Sequence, residues 1–128
     1  MKGAKILLAV SAAFALLIGL AMLASAQAFL EPQGIKVDDH IAVIAHAQAS
    51  LLLGIGATNL LMLRVNDAKA LQMVMAGNVV THLAGLGVNI HALAGDLVTQ
   101  QVYGDVVGHV VFAALFAFFI MRVGRVST

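Results

Sequence analysis

The 128 residues contain no cysteine. That excludes disulfides, thiolate metal ligands, thiol redox chemistry and a cysteine-linked lipid anchor. Tryptophan is also absent, and Tyr103 is the only tyrosine. An interfacial aromatic belt therefore cannot set the depth of the chain in a bilayer, and charges and packing must do so. Charged residues make up 10% of the chain, against about 25% in an ordinary soluble domain. The net charge of +1 gives no basic footprint for nucleic acid. What the chain has in excess is apolar surface: 62% of residues are hydrophobic and the mean hydropathy is +1.02. A chain this short leaves much of its surface outside any core. Lipid is the solvent that fits, and the length limits the chain to one domain.

A helix needs about 20 apolar residues to cross a bilayer. Four segments meet or approach that length: 6–30, 41–63, 70–93 and 104–121. The connections between them hold Pro32 and nearly all the carboxylates, and they are short enough to make successive spans antiparallel. The expected architecture is an all-α, up-down four-helix bundle integral to a membrane. The basic residues Lys2, Lys5, Arg64, Lys69, Arg122 and Arg125 fall on one side of it, and only Lys36 falls on the other. By the positive-inside rule both termini are cytoplasmic, most simply in a bacterial inner membrane. Lys2 and Lys5, the following apolar run and Ala24-Ser25-Ala26 also fit a secretory signal peptide, which would leave three spans. The run exceeds the roughly 7–15 residues of a signal core, which favours a retained span.

The faces of the spans differ. The first carries a small-residue stripe, Ala12, Ala15, Gly19 and Ala26, suited to close helix packing; its Ser11 and Ser25 can bond their own backbone. The second places His46, Ser50, Gly54 and Ala57 on one face and Gln48 and Asn59 on another. The third has the clearest pattern: Asn78, Thr81, His82, Gly85 and Asn89 form one polar stripe. Such groups need partners in hydrocarbon. The fourth puts Asp105, His109, Phe112, Phe116 and Phe119 together, with Asp105 one turn from His109 and able to orient it.

The five histidines give three readings. Counted at about 1.5 Å per residue, His46 and His109 lie roughly 6–9 Å below the outer surface and His82 deeper. The imidazoles can be neutral groups bonded between helices. His46 and His109, walled by Phe112 and Phe116, can hold haem iron, or one histidine a bacteriochlorophyll magnesium. Or His46, His82 and His109, with Asn78 and Asn89, can form a proton-linked or metal site. The spacing does not specify a metal. No glutamate lies in any span and no acid within the hydrocarbon zone, unlike what a small proton-driven exporter requires, and no serine sits on a nucleophile elbow, so no catalytic set is expected.

Asp38-Asp39-His40 precedes an Ala/Leu/Gly-rich span ending Leu63-Arg64; a short turn with Asp67 and a Gly-rich span with a central polar residue follow. This order, over residues 38–95, resembles the small four-helix DoxX-like membrane proteins, mostly of unknown function. The resemblance implies the fold and brings no catalytic residue. Those proteins often carry an arginine in the third span; here the comparable stripe carries His82.

The reading that follows is a non-enzymatic accessory or assembly subunit of a larger membrane complex, respiratory or photosynthetic. It is expected to need no cofactor and to contact lipid and other integral membrane subunits. The alternatives are the haem- or pigment-binding protein and a small transporter with a polar cavity among the second to fourth spans.

Overall fold

The structure, a computed structural model, describes residues 1–124; Arg125, counted above with the basic residues, lies outside them. The described residues are helical and contain no strand. Helix α1 spans Lys2–Ala24, α2 Ala26–Leu30, α3 Asp39–Met62, α4 Ala68–Ala94 and α5 Tyr103–Gly124. Four helical segments are long and apolar enough to cross a membrane: α1, α3, α4 and the stretch 100–124 that contains α5.

The ends of these helices are fixed by identifiable side chains. The Asp38 carboxylate accepts from the Ile41 amide at 2.8 Å, and that of Asp67 accepts from the Ala70 amide at 2.6 Å. Each satisfies an amide that the first helical turn leaves without a partner. Two of the surface carboxylates are thereby assigned to starting α3 and α4. At the other end of α3, Lys5 donates to the Leu63 carbonyl at 2.9 Å and to Asn66 Oδ1 at 2.8 Å. A cation at a helix C-terminus bonds a free carbonyl and opposes the helix dipole.

The first span is not one helix to residue 30. Ser25 takes an extended conformation, φ −160° and ψ 98°, which ends α1 at Ala24. Its hydroxyl then accepts from the Ala28 amide at 3.1 Å and caps α2. Serine competes with helix by this kind of local bond, a preference that the hydropathy of the run conceals.

Helix α1 lies along α3. Lys5 meets Leu63, Ser11 meets Asn59, and Gly19 meets Ala49 and Leu53, so the two run antiparallel. The approach needs Gly56, where a Cβ would stand 2.7 Å from Leu16 Cγ. Helix α4 lies along α5 in the same manner, with Gln72 Nε2 donating to the Ile120 carbonyl at 3.0 Å. The two hairpins join through α1 and α5, where Phe119 packs over Gly3 and the rings of Phe14 and Phe112 meet edge-on at 5.8 Å. Leu8, Leu71, Met75, Phe116 and Val123 are fully buried at this junction. A second cluster, Met22, Ala26, Ala45 and Ala49, closes the far end of the α1–α3 pair.

Helices α3 and α4 are consecutive but meet only briefly. An open cleft of about 500 Å³ separates them, lined in part by Ser50, Gly54, Thr58, Gly77 and Thr81. The outer faces are apolar, with Leu17, Val43, Leu51 and Val80 each about two-thirds exposed. An exterior of this kind suits hydrocarbon and is rare on a soluble monomer.

Candidate functional site

Two polar clusters occupy the interior of the long helices. The first joins α4 to α5. Here the Nδ1 atoms of His82 and His109 stand 3.0 Å apart. One ring donates and the other accepts, so two fully protonated rings cannot make this contact. The His82 ring lies nearly parallel to Phe112, at 5.1 Å and 7°, and stacks on Phe116 at 5.9 Å. The His109 ring rests on Gly85, where a Cβ would come within 2.6 Å of it. The glycine is thus a socket for the imidazole, and the two phenylalanines wall the pair.

The second cluster joins α1, α3 and α4. Asn59 Nδ2 donates to Asn78 Oδ1 at 3.0 Å, and Asn78 Nδ2 returns a bond to Asn59 Oδ1 at 2.9 Å. Asn59 also donates to Ser11 Oγ at 3.2 Å, and Asn78 to the Val74 carbonyl at 2.9 Å. All three side chains are buried. Each carboxamide therefore uses both hydrogens and its oxygen. This is what amides in an apolar interior require, since an unmade bond there is expensive.

The residues singled out from the sequence are distributed differently than expected. His109 meets His82, not His46. His46 is exposed on α3; its backbone carbonyl accepts from Ser50 Oγ at 2.9 Å, and its ring makes no hydrogen bond or ring contact among the described residues. Rise per residue sets only a level along each helix, and His46 and His109 do not meet because α3 packs along α1 whereas α5 packs along α4. Phe112 and Phe116 do stand beside a histidine, but their partner is His82. Asp105 is exposed and makes no hydrogen bond to His109 among the described residues, so the imidazole is oriented by His82 instead. The polar stripe of α4 is divided: Asn78 faces α3, His82 and Gly85 face α5, and Asn89 is half-buried. Thr81 is exposed at the cleft and bonds the Gly77 carbonyl of its own helix at 3.1 Å.

Ser11 is the functional partner that sequence reading missed. A lone serine in an apolar helix ordinarily bonds its own backbone. The available signal was its place on the Ala12–Ala15 packing face, which α1 turns toward α3.

Chemically, these arrangements hold helices together. No hydroxyl and no carboxylate is bonded to either histidine of the pair among the described residues. Among the same residues no three His, Cys, Asp or Glu side chains gather as a metal-binding group. No family model, curated protein or solved structure matches the chain.

Proposed function

We propose that this protein is a non-catalytic accessory or assembly subunit of a larger membrane complex, respiratory or photosynthetic, inserted as an antiparallel up-down bundle with both termini in the cytoplasm. One observation carries the reading. Of the ten glycines in the four long helices, Gly3, Gly19, Gly56, Gly85 and Gly124 are filled by a neighbouring side chain of the same molecule, whereas Gly54, Gly77, Gly87, Gly104 and Gly108 have nothing within 4 Å of where a Cβ would be. A glycine inside a helix is less favourable than alanine by about 1 kcal/mol, and in membranes it is the residue that lets another helix come close. The first five are accounted for within the chain. The second five are open to helices from outside the chain, and the Gly104–Gly108 pair, one turn apart on α5, suits a helix of another subunit. The short connections leave recognition to the bilayer itself.

The orientation rests on the asymmetry of the basic residues. The alternatives gain less. His109 is engaged with His82, and the space beside them is filled by Phe112 and Phe116, which offers little to a haem or pigment between His46 and His109. The polar groups that would line a pore in a transporter are already bonded, Asn59 to Asn78 and His82 to His109, and Ser50, Thr58 and Thr81 to backbone carbonyls of their own helices.

The test is mild solubilisation from native membranes followed by identification of what co-purifies. Other integral membrane subunits should accompany the chain and be lost on replacing Gly104 and Gly108 together with leucine. Recovery of this chain alone, monomeric or self-associated, refutes the proposal.

A further inference from the structure

Helix α3 presents a second feature beside its α1 contact, toward the α3–α4 cleft. Ile41, Ile44, Gln48, Leu51, Ile55, Thr58 and Met62 follow one another at alternating steps of three and four residues. That spacing is the seam of a left-handed helix pair. Toward α1 the helix uses Ala45, Ala49 and Gly56, with Asn59 reaching both α1 and α4; Met62 packs against the core, and the seam from Ile44 to Thr58 is open to a partner. Ile44, Gln48, Leu51 and Thr58 are exposed, and Leu51, Ile55 and Thr58 form part of the wall of the α3–α4 cleft. The Gln48 carboxamide, three turns up the helix from the bonded Asn59, makes no hydrogen bond among the described residues.

We propose that a second copy of this chain fills the cleft, through parallel pairing of α3 with α3 centred on Gln48. Acyl chains can cover the isoleucines and leucines of the seam, but they cannot bond a carboxamide in hydrocarbon. Two copies inserted in the same sense are related by a two-fold axis normal to the membrane. That symmetry brings Gln48 opposite Gln48 at one depth, where the amides exchange bonds as Asn59 and Asn78 already do within the chain. One polar residue at such a seam position also sets register and oligomer state. Gly54 and Gly77 lower the facing walls of the cleft, so side chains of the partner's seam enter it beside the bonded Asn59–Asn78 pair. The inference rests on the membrane reading and leaves the Gly104–Gly108 face to other subunits.

The absence of native cysteine makes the test direct. Gln48→Cys, Leu51→Cys and Val43→Cys are each introduced singly and oxidised in native membranes. Val43 is as exposed as Leu51 but lies off the seam. Positions 48 and 51 should give disulfide-linked homodimers and position 43 should not. Gln48→Leu, which keeps the helix apolar, should weaken dimerisation on the order of tenfold. Equal cross-linking at all three positions, or none at 48 and 51, overturns the inference. Capture of a different polypeptide at position 48 also overturns it, while leaving the accessory-subunit proposal intact. Loss of other subunits from the Gly104/Gly108 double variant bears only on that proposal.

Discussion

The Asn59–Asn78 exchange is the best place to test how this fold is held. Replacing Asn78 with leucine keeps the side-chain volume close and removes polarity. It deletes two interhelical bonds, 2.9 and 3.0 Å long, and strands the oxygen and one hydrogen of Asn59, a residue 1% exposed. Interhelical hydrogen bonds in membrane proteins average about 0.6 kcal/mol and reach about 1.7; a buried group left unpaired adds roughly 1–3 kcal/mol. The single variant should therefore lose about 2 kcal/mol. Asn59→Leu should lose slightly more, because its bond to Ser11 goes as well. In the double variant the same bonds are gone but no carboxamide is stranded, so the loss should be no larger than that of a single variant, about 1–2 kcal/mol instead of the 4–5 expected by addition, a coupling of about 3 kcal/mol. Unfolding by SDS in mixed micelles, followed by helical circular dichroism, measures all four corners of the cycle. Additivity to within about 0.5 kcal/mol would mean that the two amides do not act as a pair, and the account of what joins α3 to α4 would be wrong.

Three further outcomes follow from other contacts. Gly85→Ala places a Cβ 2.6 Å from the His109 ring and should cost about 1–3 kcal/mol as overpacking, with loss of the His82–His109 coupling in nitrogen NMR spectra; Gly54→Ala, in open space, should leave monomer stability unchanged or slightly raised. Asp67→Ala removes the acceptor at the start of α4 and should cost about 1 kcal/mol, seen as faster amide exchange in the first turn of α4 but not in α5. Lys5→Met loses the bonds to Leu63 and Asn66 and should lower stability by about 1 kcal/mol, with the largest exchange increase at the C-terminal end of α3.

The existence of four long apolar helices was legible in the sequence because hydropathy sums over single residues and needs no neighbour. The caps were legible in kind as well: aspartates stand just before the apolar runs at positions 38 and 67, where a helix start lacks acceptors. The break at Ser25 was not, since one serine hardly changes the hydropathy of the run that contains it.

Partnership belongs to the tertiary structure. Periodicity placed His82 and Asn78 on one stripe, yet they face different helices, because a stripe about 100° wide can touch two neighbours. Chain order made α3 and α4 expected neighbours, and they barely meet, whereas α1 and α5, furthest apart in sequence, close the bundle through Gly3, Phe119, Phe14 and Phe112. Ser11 became part of a site only when the rotation of α1 aimed it at Asn59. Sequence by itself determined that this protein is built of apolar helices, and which residues in them are polar. Only the tertiary structure decided which polar groups bond one another and which, like Gln48, are left at the surface, because a hydrogen bond depends on the positions of two groups and each helix sequence specifies only its own.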